Sequence, residues 1–149
     1  MKRLFIFALT SALSLSAQAT QWRQFTSTMY VLDPAENQQV VAMASLFEGE
    51  QIVMNLVDMT GSFCREGQNS AVMPAGPYKV NGTNVKFVQA CINGKRILSP
   101  ETVKGKAFLA KAITAGPATV ELEGSILLHF SSEDFQSAKK AMVDTNSAL

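Results

Sequence analysis

The sequence predicts a β-rich α+β domain: a mainly antiparallel sheet, arranged as a sandwich or a partly open barrel, with one helix between strands and one at the C-terminus. The clearest evidence is the pair of dipeptides Asn81-Gly82 and Asn93-Gly94, which separate three apolar stretches. Asn-Gly is favoured in two-residue hairpin turns because both residues tolerate the positive φ of a type I′ turn. Two consecutive turns predict a three-stranded meander. Two later segments that begin with capping residues add the helices.

The N-terminus, residues 1–19, has the three parts of a signal peptide. Two basic residues come first, a largely apolar stretch of 12 residues runs from Leu4 to Leu15, and Ala17-Gln18-Ala19 supplies the small residues that a signal peptidase recognises. As a helix, that stretch would span roughly 18 Å, which is too short for a membrane core of about 30 Å. We therefore expect cleavage after Ala19, one globular domain over residues 20–149, and a periplasmic or secreted location.

The charge of the expected mature chain is nearly balanced. Without Lys2 and Arg3, 11 basic residues remain against 12 acidic ones, which gives a net charge of −1. This balance gives no support for nucleic-acid binding. The basic residues are nevertheless clustered, since residues 79–111 carry seven bases and only Glu101 as an acid. The cluster indicates either ordinary solvated faces or a basic surface for an anionic partner such as lipid head groups or envelope polysaccharide.

The first third of the chain predicts strands, with one ambiguous segment. Residues 21–32 read as a first strand. Residues 33–36, Asp-Pro-Ala-Glu, fit a helix start as well as a turn. Residues 38–47 place apolar side chains equally well on a helical face and on a strand face, so the conformation of residues 34–47 stays open. We prefer a strand slightly, because residues 48–50 then make a tight connection to a clear strand over residues 51–59.

A long connection over residues 60–77 has no apolar period and contains one of the two cysteines, Cys64. Such loops are often binding loops or lids, although a surface loop tied down by a disulfide is the plainer interpretation. The other cysteine, Cys91, lies in the middle strand of the meander. In an exported protein an isolated pair usually forms a disulfide, and a loop of this length would gain ~3.5 kcal/mol from the cross-link. The wide spacing argues against a CxxC redox motif.

The second half of the chain follows from turn and cap signals. Within the meander, Lys79 should face Asn84 and Lys95 should face Ile92. The elements expected in chain order are the three strands of the meander, a helix, two strands and a last helix: residues 78–80, 83–92, 95–98, 101–113, 119–122, 126–130 and a segment capped by Ser131 or Ser132.

Residues for catalysis or metal binding are few. His129 is the only histidine and cannot be matched with a nucleophile from sequence alone, so we expect a structural or surface role. Glu121 and Glu123 share one strand face, where a carboxylate pair could hydrolyse glycosides but two solvated acids are commoner. One histidine and two oxidised cysteines do not make a zinc site, and no calcium or nucleotide motif is present. No metal or cofactor is predicted.

The second half resembles the invasion-associated locus B family of small exported bacterial proteins. The residues that carry the resemblance are Phe87–Cys91 followed by Gly94, a helix-like segment ending at Gly116, the stretch Ile126–Ser131, and an amphipathic segment from Phe135. The resemblance implies a β-rich exported protein linked to envelope or host contact, and it supplies no catalytic residue. This chain lacks the second cysteine that the family pattern places soon after the first.

Two features predict a candidate binding surface. The long loop carries Phe63, Arg65 and Met73, and the sheet to which it would be linked carries Lys95 and Arg96. A mobile apolar loop beside positive charge suits a protein partner or an anionic, partly apolar envelope ligand. Alternatively, Phe63 and Met73 pack into the core and the bases only aid solubility. If this region is a binding surface, the charges of Arg65, Lys95 and Arg96 are exposed and contribute little to stability.

These observations favour an exported, non-catalytic envelope or secreted binding protein. The alternative is a small periplasmic hydrolase whose site is assembled only by folding.

Overall fold

A computed structural model describes residues 21–36 and 39–147 of the 149-residue chain. The predicted signal peptide, residues 1–19, and its cleavage site lie outside the described residues. Nine strands and two helices are described, with a 3-10 turn, Glu48–Glu50, between β3 and β4. In chain order they are β1 (Arg23–Thr26), β2 (Met29–Leu32), β3 (Val40–Phe47), β4 (Gln51–Asp58), β5 (Met73–Val80), β6 (Thr83–Ile92), β7 (Lys95–Pro100), α1 (Val103–Thr114), β8 (Pro117–Leu122), β9 (Ile126–Ser131) and α2 (Phe135–Ser147).

The nine described strands form one antiparallel sheet in the order β1-β2-β3-β4-β7-β6-β5-β8-β9. The β-rich α+β prediction is confirmed, and the strands lie in a single sheet that is not closed. Its two ends nevertheless approach each other. The Ala35 N–H donates to the His129 carbonyl at 2.8 Å, and Gln21 forms a parallel bridge with Glu133 just beyond β9. The sheet therefore curls around its apolar face.

The meander is confirmed, with both Asn-Gly turns in place. The φ angles of Asn81 and Gly82 are 47° and 76°, and those of Asn93 and Gly94 are 49° and 77°. Lys79 pairs with Asn84, and Ile92 pairs with Lys95. Strand β5 begins earlier than expected, at Met73, so the last part of the predicted loop belongs to the sheet.

The N-terminal segment differs from the prediction of one strand over residues 21–32. It forms a hairpin, β1 and β2, around a turn at Ser27 and Thr28. The Thr28 N–H donates to the Thr26 hydroxyl at 3.4 Å, a local side-chain contact typical of such turns. The polar residues of the turn fit the alternation of a strand with a period of two. The sequence therefore predicted one continuous strand where the structure has a hairpin.

Residues 40–47, within the segment left open between helix and strand, form strand β3. The preceding Asp33 does not cap a helix. Its buried carboxylate accepts two hydrogen bonds from the Arg23 guanidinium, at 2.9 and 3.0 Å. Pairing on both sides, with β2 and β4, therefore decides a conformation that local propensity left undecided.

Both helices are present, but each begins later than predicted. Ser99 and Pro100 complete β7, and the Thr102 hydroxyl caps α1 by accepting the Gly105 N–H at 3.0 Å. Before α2, Ser131 ends β9, and the Ser132 hydroxyl accepts the Trp22 indole N–H at 2.8 Å. The serines that resemble helix caps in the sequence thus have other roles: Ser99 and Ser131 belong to strands, and Ser132 accepts a hydrogen bond from Trp22.

The core lies between the concave face of the sheet and the two helices. Helix α1 packs against β4, β7 and β8 and buries Leu109 and Ile113. Gly105 lets the helix approach closely there, because a Cβ atom would lie only 3.2 Å from both Pro100 and Val85. Helix α2 buries Phe135, whose ring centroid lies 5.0 Å from that of Trp22. Neither helix is long and apolar enough to span a membrane.

Candidate functional site

A disulfide joins the long loop to the sheet, as the sequence predicted. Cys64 and Cys91 are bonded, with their Cα atoms 5.9 Å apart, and both are almost fully buried. Cys91 lies on β6 directly opposite Arg96 on β7. The cross-link therefore holds the loop against the end of the meander that carries the predicted basic residues.

The part of the connection that remains a loop, residues 60–72, is called here the anchored loop. Its Ser70 exchanges two hydrogen bonds with Cys91: the Ser70 N–H donates to the Cys91 carbonyl at 3.0 Å, and the Cys91 N–H donates to the Ser70 hydroxyl at 2.9 Å. Two more bonds hold the loop to the Asn-Gly turn, from the Gly94 N–H to the Gln68 carbonyl (2.9 Å) and from the Asn93 N–H to the Asn69 Oδ1 (3.0 Å). The loop is thus fixed to β6 and to the turn before β7, as in the interpretation of a surface loop tied down by its disulfide.

Arg96 is buried, which corrects the prediction that it is a surface charge. Only 8% of the residue is exposed. Its Nε donates to the Gln89 Oε1 at 2.7 Å, and its Nη2 donates to the Tyr78 hydroxyl at 3.2 Å and to the Glu123 carboxylate at 2.7 Å. The ring of Phe63 covers the guanidinium, 4.1 Å from the ring centroid. The cation is therefore paired with a carboxylate and held by two further hydrogen bonds before any partner binds.

The alternation of residues along β7 indicates this burial. Successive residues of a strand face opposite sides, so Arg96 shares a face with Leu98, and Leu98 is 1% exposed. Lys95 lies on the opposite face, where its ammonium donates to the Met59 carbonyl at 3.3 Å. The two adjacent bases therefore do not act on the same surface.

Strand β8 and the turn after it neutralise part of the basic cluster. Glu121 pairs with Lys79 at 3.3 Å, and Glu123 pairs with Arg96. Glu121 and Glu123 thus bind separate cations, and they do not form the isolated carboxylate pair that a glycosidase would need. Arg65, on the anchored loop, is the exposed base of the predicted surface.

Three of the five predicted binding residues are brought together. Met73 is the register partner of Gln89, Gln89 accepts a hydrogen bond from Arg96, and Phe63 covers Arg96. Phe63 is 49% exposed and Met73 is 47% exposed, so neither is packed into the core. The neighbouring Val72 is also exposed. The outcome is an apolar surface formed by the anchored loop and the first residue of β5, beside a neutralised cation.

His129 belongs to a second polar cluster, on the outer face of β9. The Glu36 carboxylate accepts the His129 backbone N–H at 2.9 Å and also contacts the ring Nδ1. Burial acts to raise the pKa of Glu36, but the hydrogen bonds from His129 outweigh it, so this pKa lies below its ordinary value. Ser131 and Thr119 line the same open pocket of about 430 Å³.

The cluster has two of the three groups of a hydrolytic triad. Its carboxylate holds the imidazole through Nδ1, which leaves Nε2 to act as a base. Within residues 21–36 and 39–147, however, no hydroxyl is hydrogen-bonded to the ring of His129. In the same part of the chain no three side chains of His, Cys, Asp or Glu converge as a metal site.

Comparisons with protein-family models, with curated proteins and with solved structures give no match for this chain. The resemblance to the invasion-associated locus B family therefore stays a prediction from the sequence.

Proposed function

We propose that this chain is an exported, non-catalytic binding protein of the envelope or of the secreted fraction, and that it contacts its partner through the anchored loop. One observation carries the proposal: Phe63 and Val72 are exposed on a loop that is fixed to the sheet by a disulfide and four hydrogen bonds, and Met73 is exposed directly after it, at the start of β5. The disulfide is compatible with an oxidising compartment, which supports a periplasmic or secreted location.

A fixed apolar loop is well suited to binding. Each large apolar side chain that a partner covers contributes roughly 1.5–3 kcal/mol, and little entropy is lost because the loop is already ordered. The ring of Phe63 is further oriented by the guanidinium beneath it. The partner should be a protein or an anionic envelope ligand that presents an apolar surface, with an acidic group near Arg65.

The test is a crosslinking pull-down from the native envelope with the wild type and two variants. The variant Val72→Ser/Met73→Ser removes exposed apolar surface from the end of the loop and the start of β5, and it should reduce capture at least about tenfold. The matched control is Phe25→Ser, because Phe25 is equally exposed but lies on β1. Equal capture by the loop variant and the wild type, or equal losses in both variants, would contradict the proposal.

The charge of Arg65 is tested separately. Arg65→Ser should leave the melting temperature nearly unchanged, because an exposed charge contributes little to stability. An anionic partner should be captured more weakly by this variant, and added salt should weaken capture by the wild type in the same way. If neither change affects capture, the partner is recognised by its apolar surface alone.

The second candidate, a small periplasmic hydrolase, is favoured by the contact between Glu36 and His129 Nδ1 in an open pocket. The pair would act as a general base on water or on the Ser131 hydroxyl. Hydrolysis of p-nitrophenyl esters tests it. Activity of the wild type that His129→Gln and Glu36→Gln both abolish would support a hydrolase, and equal rates in all three proteins would exclude this site.

A further inference from the structure

An apolar groove lies at the opposite end of β4 from the disulfide. It has a volume of about 720 Å³ and runs between the β3–β4 hairpin and one side of α1. Phe47, Ile52 and Val53 line the hairpin side, while Ala107 and Ala110 leave space on the helix side. A volume of this size falls in the range of about 300–1,000 Å³ that is usual for small-molecule sites.

The two walls of the groove expose large apolar side chains. Phe47, the last residue of β3, is 61% exposed, and Val103, the first residue of α1, is 85% exposed. Both line the groove. Exposed apolar side chains that face each other across a cleft mark a surface that gains free energy when a ligand covers them.

The charge at the groove has one sign. Of the lining residues that the structure describes, Lys106 is the only charged one. Among the described residues Lys106 forms no salt bridge, and α1 contains three lysines and no acid. The N-terminal end of α1, which carries Val103, adds a positive partial charge. The exposed acids nearest along the chain, Glu48, Glu50 and Glu101, are not among the lining residues.

We propose that this groove binds a free fatty acid, with the acyl chain between Phe47 and Val103 and the carboxylate at the Lys106 ammonium. The apolar walls provide for the chain, and the unpaired lysine selects an anionic head group over a cationic one. The proposal is independent of the partner proposed for the anchored loop, since the groove and the surface around that loop share no lining residue.

The first experiment is calorimetric titration of the mature protein with decanoate and with decyltrimethylammonium, both below the concentration at which they form micelles. These probes share a chain and differ in the charge of the head group. We expect saturable binding of decanoate, at least about fivefold tighter than binding of the cation, and weaker binding of octanoate by at least about fourfold. No saturable binding of decanoate, or equal affinity for the two probes, would overturn the proposal.

Variants then locate the site. Ala107→Trp should fill the groove and abolish binding, and Lys106→Gln should weaken decanoate about fivefold without weakening the cation. Lys104→Gln is the matched control, because Lys104 lies on the same helix but does not line the groove. Thermal melting verifies that each variant folds. If Ala107→Trp does not fold, Lys106→Gln, which is a surface change, still tests the site. Equal effects of Lys104→Gln and Lys106→Gln, or unchanged binding by both groove variants, would assign the binding elsewhere.

Discussion

At the Asp58 end of β4 the chain is held by a disulfide, by the hydrogen bonds of the anchored loop and by the buried Arg96, whereas at the Gln51 end two exposed apolar side chains border a groove. The two ends of β4 thus have different surroundings. At the first end the buried cation already donates three hydrogen bonds, one of them to a carboxylate. At the second end a lysine and an apolar wall remain without partners among the described residues.

This difference bears on what each end can bind. Because Arg96 is already engaged by Gln89, Tyr78 and Glu123, the disulfide end offers the exposed apolar side chains beside it and the exposed base Arg65, which suits the surface of a protein. The groove end combines one cation with an apolar groove of about 720 Å³, which suits a small amphiphile. Stabilising groups are concentrated at one end, and the two ends should therefore respond differently when those groups are removed.

The largest expected effect comes from removing the disulfide. The double variant Cys64→Ser/Cys91→Ser should lose ~3.5 kcal/mol of unfolding free energy in urea denaturation, because the unfolded chain regains the entropy of an open loop. Amide exchange should accelerate at Ser70 and Gly94, whose N–H groups bond across the loop contact, while β3 and β4 remain protected near their hairpin. Unchanged stability, or equal acceleration at both ends, would contradict the comparison.

A somewhat smaller loss is expected for Arg96→Met. The substitution keeps apolar volume but leaves Gln89 and the Tyr78 hydroxyl without their partner, at a cost of about 2–3 kcal/mol. The matched control is Lys95→Met, which removes the adjacent charge on the opposite face of β7 and should cost under about 1 kcal/mol. Chemical denaturation of both variants measures the difference. Equal losses would mean that Arg96 is not the buried centre of this end.

The sequence predicted features that depend on local chemistry. The Asn-Gly turns have few alternatives because both residues must adopt positive φ, and two cysteines in an oxidising compartment have one possible pairing. The burial of Arg96 was missed because its charge was given more weight than its position two residues before Leu98, which places both residues on the same face of the strand. The hairpin at Ser27 was missed because polar turn residues can also continue a strand alternation.

Features that depend on distant segments could not be predicted in this way. The groove is formed by the β3–β4 hairpin and α1, which are separated by about 50 residues, and neither segment alone indicates a cavity. The contact between Glu36 and His129 joins residues 93 positions apart. Both depend on how the sheet curls and on which strands become neighbours, and these properties follow from packing of the whole core.

The smallest expected effect concerns the contact between Glu36 and His129, which helps to connect the two ends of the curled sheet. Because the pKa of Glu36 is lowered in the folded state, the unfolded chain takes up the proton first as the pH falls. The stabilisation is therefore complete above the ordinary value of 4.5 and disappears as the pH falls through the folded value. Glu36→Gln should lose about 0.5–1 kcal/mol at pH 7 and match the wild type in strong acid. Urea denaturation from pH 7 to pH 3 measures the difference, and Glu48→Gln, which removes an exposed carboxylate at the groove end, is the control. A Glu36→Gln difference that persists unchanged at pH 3 would show that the carboxylate charge does not hold the sheet ends together.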